Sequence, residues 1–486
     1  MSNDSIKRKT ISSMLWRWGE SSLSQVVNFV VSVILARMLL PEDYGVVALV
    51  MVFITLCDKL VVSGLATSLI QKKDADNVDF STIFFFSLGV ATLLYTLLFA
   101  FSPLIADFFG TYDKALLVPV IRVMGIQVIL VAASSVQSAY VSRTMQFRRF
   151  FWSTLGGIVS SAAVGICMAY AGYGVWALVA QNLIKMIGSM SVLWFTVKWR
   201  PQLVFSVERF KALYEYGWKI FAASVIKTLY NDLRSLVIGK FYSAADLAFY
   251  NKGQSFPQLV DGNIVGTIDS VFFSAIAKKQ SSKAEMLSML RRAVKVGTYV
   301  LTPLLVGLAA VAEPLVEVLL GEKWLPCVFY MQVLSISFVF TPIEIENLQT
   351  IKAVGRSDLV LKLEIVKKTV GVVLLIIAVP IGVEAIAISM LAGNVFAAAA
   401  NAWPNCKLVG YGYWQQMMDV LPSLLMSAVM YGAVFAVPQI NLPAITLLAV
   451  EVLVGVVVYV LLSVLTRNES FWYILNICKG FLKKRA

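Results

Sequence analysis

The feature that most limits the fold of this chain is a series of apolar stretches that recur from one end to the other. Each stretch is about 20 residues long, enough for a helix to cross the roughly 30 Å hydrocarbon layer of a membrane. Charged residues make up only 14% of the 486 residues, too few to cover a water-soluble domain. The stretches are continuous rather than alternating, which argues against a β-barrel. The sequence therefore predicts an all-α polytopic membrane protein.

We predict about fourteen transmembrane helices from these stretches. The first follows a basic N-terminus that lacks the small-residue cleavage site of a signal peptide, so we expect it to be retained as a span. The predicted spans are 12–39, 44–70, 80–106, 115–142, 150–171, 174–197, 214–238, 246–275, 286–312, 326–352, 358–379, 384–405, 418–437 and 443–465.

The distribution of lysine and arginine predicts the orientation. The formal net charge is +13, and the cations concentrate at both termini and in every even-numbered connection, whereas the odd-numbered connections carry few. Because cytoplasmic loops carry the excess of Lys and Arg, both termini are predicted to lie in the cytoplasm. The positive charge is thus mostly a topology signal, and nucleic acid is not an expected partner.

Two similar stretches, which coincide with the predicted topology, favour an internal repeat over a chance match. LARMLLPEDYG begins at Leu35 and IGKFYSAADLA at Ile238, so that Arg37 aligns with Lys240 and Asp43 with Asp246. Each stretch joins the first two spans of a six-span half, which predicts two six-helix lobes related by a pseudo-two-fold repeat, plus two C-terminal helices. The predicted domains are an N-lobe (1–197), a basic cytoplasmic linker (198–213), a C-lobe (214–410), spans 13–14 (411–466) and an amphipathic basic tail (467–486).

Ionisable residues inside the predicted spans are the candidate functional groups. Each costs about 2.5–3.5 kcal/mol or more in hydrocarbon and should face protein or a watery cavity. Taken singly, a structural ion pair is the favoured role, as for Arg17 with Glu20 or Asp232 with Arg234 or Lys227. Taken together, the cations favour a cavity between the halves for an anionic headgroup, since Arg and Lys suit phosphate. The substrate-binding candidates are Arg17, Lys59, Lys227, Arg234, Lys252 and Lys295.

Four acids are candidates for a coupling Na⁺ or H⁺ instead: Asp58, Asp261, Asp269 and Glu344. Span 8 contains Gly253, Pro257 and Gly262, which predict a bend and either a hinge or a static packing kink. Histidine is absent and no CxxC occurs, so neither histidine chemistry nor a metal site is indicated. No GxxxxGK[ST], GxSxG or HExxH motif occurs either, and we predict a protein that is not an enzyme, has no catalytic residues and needs no cofactor.

Several phrases together resemble the polysaccharide transporter family, which includes the Wzx-type lipid-linked oligosaccharide flippases. The family belongs with the multidrug and lipid II exporters in one superfamily. The resemblance covers nearly the whole chain to about residue 410, and none of its phrases is a catalytic signature. The phrases are LARMLLPEDYG, SGLATSLIQKKD, GYGVWALVAQNL, YGWKIFAASVIKTLYNDLRSLVIGKFYSAADLAFYNKGQ, LLGEKWLP and AVGRSDL.

The resemblance implies a flippase that moves an undecaprenyl-pyrophosphate-linked oligosaccharide to the outer leaflet by alternating access, for surface polysaccharide synthesis. It implies two six-helix lobes around a cationic cavity, and two extra helices that in lipid II relatives help to form a groove for the lipid tail. It suggests Arg17, Lys227, Arg234 and Lys252 as contacts for pyrophosphate or acidic sugars. The expected location is the bacterial inner membrane, and the expected partners are the bilayer and the polymerase and chain-length proteins of the pathway.

Two alternatives stay open. A multidrug cation antiporter of the same superfamily would favour an acidic, aromatic cavity over a cationic one. A membrane polysaccharide polymerase or ligase would be expected to carry a large outer loop with Arg or His, which this sequence lacks.

Overall fold

The computed structural model describes residues 3–62, 68–70, 72, 74–144, 146–279, 282–437 and 443–483, and these residues form helices and connections with no strand. The chain divides into two compact units, one up to Ala248 and the other from Phe249. The predicted lobe and linker boundaries stay a prediction.

The first unit contains seven long helices and the start of an eighth, among the described residues. These are α1 (Asn3–Met38), α2 (Pro41–Val62), α3 (Asn77–Phe108), α4 (Lys114–Arg143), α5 (Phe147–Tyr170), α6 (Val175–Thr196), α7 (Val207–Phe241) and α8 (Ala244–Ile276), which continues into the second unit.

The second unit continues with one long helix, three short helices, four long helices and a shorter last helix among the described residues. These are α9 (Lys283–Ala310), α10 (Ala312–Leu320), α11 (Cys327–Phe338), α12 (Thr341–Ala353), α13 (Ser357–Ala378), α14 (Val383–Leu408), α15 (Tyr413–Phe435), α16 (Ala444–Leu465) and α17 (Glu469–Lys483). Predicted span 10 is therefore two helices, α11 and α12, separated by a short break before Pro342.

The prediction of an all-helical membrane protein is confirmed. In the described part, ten helical segments are long and apolar enough to cross a membrane, α11 and α12 together forming one of them. The other four predicted spans fall on α1, α7, α8 and α13, which are helices of 22 to 36 residues with more polar sequences. The count of fourteen stays a prediction.

The two repeated stretches fold in the same way. Pro41 begins α2, and Asp43 accepts a hydrogen bond from the Leu40 backbone N–H at 3.1 Å. At the equivalent place, Asp246 accepts one from the Ser243 backbone N–H, also at 3.1 Å. A first-turn carboxylate that accepts the N–H preceding the helix satisfies a donor that has no partner within the helix. The repeat is thus visible in local geometry as well as in sequence.

Glycine allows two close helix contacts in the first unit. A Cβ on Gly157 of α5 would lie 2.1 Å from the Ser189 hydroxyl and 2.6 Å from the Lys185 carbonyl of α6. A Cβ on Gly45 would lie 1.8 Å from the Ala244 carbonyl, where the repeated stretches meet. Small residues let helix backbones approach closely where lipid provides no hydrophobic driving force.

The basic segment between α6 and α7 is fixed to the first unit. Trp199 is buried with Phe80 and Phe84, at ring centroid distances of 5.9 and 6.1 Å. The backbone N–H groups of Gln202 and Ser206 donate to the hydroxyls of Ser81 and Thr82 in α3. These contacts hold the segment across the start of α3.

Candidate functional site

The candidate residues of the first unit lie on α1, α2 and α7. Asp58 of α2 accepts a hydrogen bond from Gln127 Nε2 of α4 at 3.3 Å, and its Oδ1 is buried without a donor among the described residues. The neighbouring Lys59 is exposed. The side chain of Arg17, and with it the predicted pair with Glu20, lies outside the part of α1 that the structure describes.

The charges of α7 do not pair as the structural interpretation expects. Asp232 forms no ion pair with Lys227 or Arg234 in the described part of the chain, Lys227 is exposed, and Arg234 is half-buried. Arg234 Nε is buried without an acceptor among the residues that the structure describes. A buried guanidinium N–H without an acceptor is costly, so a ligand anion at this position would be stabilised.

The candidates on α8 have different surroundings. Lys252 Nζ lies 5.6 Å from the Trp324 ring centroid, at the distance of a cation–π interaction. The Asp261 carboxyl contacts the Thr341 hydroxyl and lies near Glu344, while its Oδ1 is buried without a donor among the described residues. The Asp269 side chain lies outside the described part of α8.

Four charged side chains surround Glu344 in the second unit and form a group of five with it. Lys367 of α13 is only 9% exposed, and its Nζ lies 3.0 Å from Glu344 Oε1 and 2.8 Å from Glu364 Oε1. Lys368 lies 3.9 Å from Glu364 Oε2, and Asp261 completes the set. Three carboxylates against two ammonium groups leave one negative charge without a partner, an arrangement that could hold a proton or a cation.

Lys295 has carboxylate partners. Its Nζ lies 3.0 Å from Glu469 of α17 and 3.5 Å from Asp419 of α15. Asp419 also accepts from both Arg291 and the Tyr411 hydroxyl, at 2.6 and 2.7 Å. The predicted substrate role of Lys295 is untested, and these contacts provide a structural role for it.

The hinge candidates of α8 differ in packing. A Cβ on Gly253 would lie 2.7 Å from Tyr330 Cβ and 2.8 Å from the Cys327 carbonyl, so this glycine allows α8 to approach α11. Gly262 has open space where a Cβ would be. The helix continues through Pro257. The role of this segment as a hinge stays a prediction.

Lys367 and Glu364 were missed by the sequence analysis, although the Glu364–Lys367–Lys368 spacing of three and four residues is typical of helical ion pairs. The spacing of the repeat also relates two of the candidate acids to each other. Asp58 and Asp261 are separated by the same 203 positions as Arg37 and Lys240. Each lies on the second helix of its half, and each has one carboxylate oxygen that is buried without a donor among the described residues. The other oxygen of Asp58 accepts from Gln127, and Asp261 lies close to Thr341.

Comparison with known proteins gives a family match and several relatives. The family described as "Polysaccharide biosynthesis protein" matches residues 34–329. The chain is 25% identical over 299 residues to the succinoglycan biosynthesis transport protein ExoT of Rhizobium meliloti (strain 1021), covering 61% of this chain and 60% of that protein. It is 24% identical over 340 residues to the lipopolysaccharide biosynthesis protein WzxC of Escherichia coli (strain K12), covering 68% and 67%. The chain thus matches about three fifths of the length of ExoT.

Solved structures share the fold. The lipid II flippase MurJ in an inward closed conformation superposes with a TM-score of 0.76 at 14% identity, covering 94% of this chain and 99% of that one. An inward-facing multidrug resistance transporter of the MATE family gives 0.63 at 16% identity, covering 80% and 95%. At these identities the likeness establishes the fold.

Proposed function

Since this chain belongs to the polysaccharide biosynthesis protein family, we propose that it is a flippase. It moves an undecaprenyl-pyrophosphate-linked oligosaccharide from the cytoplasmic to the outer leaflet by alternating access, for surface polysaccharide synthesis. The observation that carries the proposal is the family match over residues 34–329. A relative named as a transport protein and the flippase fold support it.

The cations of the first unit support an anionic cargo. Lys59, Lys227 and Arg234 form no ion pair within the described part of the chain, although they lie on predicted transmembrane helices. Such charges are expensive in lipid and are expected to face a ligand or water. A pyrophosphate carries the negative charge and acceptor oxygens that these side chains recognise. We assign Lys227 and Arg234 to headgroup contact.

The second candidate is multidrug cation export, favoured by the fold shared with a MATE transporter. A cationic drug would be disfavoured near Lys59, Lys227 and Arg234. Drug susceptibility of a deletion strain distinguishes the two functions, because loss of a flippase leaves drug resistance unchanged.

The decisive experiment is a deletion strain assayed for lipid-linked repeat units in the inner leaflet. We expect the units to accumulate there, surface polysaccharide to be lost, and the wild-type gene to restore it. Lys227→Gln and Arg234→Gln should restore less than a tenth of the export at normal protein levels. Lys114→Gln is the control, because Lys114 is exposed and pairs with Asp107. An unchanged inner-leaflet pool in the deletion strain contradicts the flippase assignment.

Orientation, coupling and partners complete the proposal. The chain lies in the bacterial inner membrane with both termini in the cytoplasm, as its Lys and Arg distribution predicts. Export is coupled to H⁺ or Na⁺ at Asp58 and Asp261, and the polymerase and chain-length proteins act on the exported product.

The orientation can be tested with a reporter that is active only in the periplasm. The reporter should be silent when fused after Ala486 and active when fused after Gly172. The reverse pattern refutes the orientation.

A further inference from the structure

A pocket of about 390 Å³ lies in the second unit where α9 meets the start of α17. Its volume is within the range of small-molecule sites. The residues that line it include Ser288, Arg291, Arg292, Lys295, Glu469 and Tyr473. Three of these six are cations and one is an acid, so the lining favours an anion. Of these residues only Lys295 is a predicted substrate contact, and the contacts that the proposed function assigns, Lys227 and Arg234, are on α7 instead.

Arg292 is the cation whose hydrogen-bonding capacity is unused. Its guanidinium carbon lies 5.1 Å from the Tyr473 ring centroid, and no carboxylate in the described part of the chain pairs with it. Stacking on an aromatic ring fixes the guanidinium plane but leaves its N–H donors for an acceptor. A phosphate in the pocket could therefore accept two hydrogen bonds from a group that is already oriented.

The other two cations are paired with carboxylates of very different exposure. Asp419 is 9% exposed and bonds Arg291 through two hydrogen bonds, so this pair is fixed. Glu469, which bonds Lys295 at 3.0 Å, is 85% exposed. An exposed ion pair is worth little, and Glu469 can turn into solvent when another anion approaches Lys295.

The pocket lies where phospholipid headgroups are expected. Helix α17 packs through Phe471 and Ile474 against the core of the second unit and exposes Trp472, as expected of an amphipathic helix in the membrane interface. On α9, Arg292 is nine residues after the first residue, about 14 Å along the helix. Predicted span 9 begins only at residue 286, so Arg292 lies about 9 Å into it, nearer the headgroup region than the centre of the bilayer.

We propose that this pocket binds the phosphate of an anionic phospholipid. Arg292 and Lys295 contact the phosphate, Glu469 turns away from Lys295 to admit it, and Tyr473 holds the Arg292 guanidinium in place. The bound lipid fixes α17 to α9. The lipid site does not depend on which cargo is exported. A negative result for this site would therefore leave the flippase assignment unchanged, and the reverse also holds.

The test measures lipid bound to the purified full-length protein by native mass spectrometry, with phosphatidylglycerol compared against phosphatidylcholine. Wild-type protein should retain phosphatidylglycerol preferentially. Arg292→Gln should weaken its binding about tenfold. Glu469→Gln should strengthen it roughly threefold, because a competing anion is removed. Arg356→Gln is the control, since Arg356 is an exposed arginine of the same unit that pairs only with Asp358 among the described residues.

The two variants are expected to change phosphatidylglycerol binding in opposite directions, and this distinguishes a lipid site from a structural ion-pair network. In a purely structural network, Arg292→Gln and Glu469→Gln would both leave phosphatidylglycerol binding unchanged or both lower it, and either result overturns the proposal. Equal retention of the two phospholipids by the wild-type protein does so as well. Displacement of phosphatidylglycerol by inorganic phosphate at the same concentration would overturn the assignment to a lipid.

Discussion

Single residues in this protein are constrained by the absence of water in the membrane. Buried charge needs a partner, and the Glu344–Lys367–Glu364 contacts provide one. Backbone contact needs the smallest residue, as at Gly45 against Ala244. Interatomic distances in the structure show both constraints, and each constraint predicts the effect of a single substitution.

Gly45→Ala should destabilise the protein. The new Cβ would lie 1.8 Å from the Ala244 carbonyl oxygen, so the backbone must shift. Overpacking of this kind costs about 1–3 kcal/mol, and we expect a lower unfolding temperature in detergent. Gly89→Ala is the matched control, because its Cβ would meet no atom within 4 Å. Equal unfolding temperatures for the two variants would show that the contact is absent.

Lys367→Met should lower the free energy of unfolding by about 3–5 kcal/mol, because two carboxylates lose their buried ammonium partner. The double variant Lys367→Met/Glu344→Gln should recover part of this loss. Lys368→Met is the control, since Lys368 is more exposed and lies 3.9 Å from Glu364. The measurement is thermal unfolding of purified protein. A double variant less stable than Lys367→Met would rule out an ion pair between Lys367 and Glu344.

At the scale of helices, the sequence predicted which helices form better than it predicted where a helix is interrupted. The predicted spans all coincide with helices, because an apolar stretch of sufficient length must satisfy its backbone hydrogen bonds internally. The division of span 10 into α11 and α12 was not predicted, since Pro342 is compatible both with a kink and with a new start. Helix ends outside the membrane are stabilised by local charges. Asp76, for example, caps α3, and its pKa is lowered by the Asp79 backbone N–H, then by Arg209.

The start of α13 provides a pH-dependent prediction. The hydrogen bonds from Arg356 lower the pKa of Asp358 from 3.8 to about 2. A lowered folded-state pKa stabilises the protein above the ordinary pKa, and the effect is lost as the pH falls through about 2. Asp358→Asn should therefore reduce the unfolding temperature equally at all pH values above about 5, and by less as the pH falls below about 4. Asp74→Asn, an exposed loop variant, controls for charge alone. A difference that grows on acidification contradicts the prediction.

At the scale of the whole molecule, the repeat was the most informative feature of the sequence. Its 203-residue spacing identified equivalent turns, and the structure gives them the same first-turn hydrogen bond. The candidate site was predicted less completely. Hydropathy and charge identify which residues are costly in lipid, but not which of them meet, because partners such as Glu344 and Lys367 come from different helices. Local spacing contains no information about such contacts.

The repeat predicts that Asp58 and Asp261 have equivalent functions. Asp58→Asn and Asp261→Asn should each reduce export at least about tenfold at normal protein level, and abolish its dependence on the H⁺ or Na⁺ gradient. Transport into inverted vesicles under an imposed gradient measures both properties. Asp107→Asn, an exposed variant, should behave as wild type. Gradient-dependent export by both variants would exclude these carboxylates as the coupling site.

The attachment of the 198–213 segment to α3 also affects biosynthesis. Trp199, Gln202 and Ser206 contact the start of α3, and the first compact unit ends only at Ala248. During translation, the polar hydroxyls of Ser81 and Thr82 therefore acquire these partners only after more than a hundred further residues have been synthesised. Domains fold as units as they emerge. The first stable folding intermediate on the ribosome should thus contain α7, and a nascent chain arrested after α6 should remain a substrate for membrane chaperones and proteases.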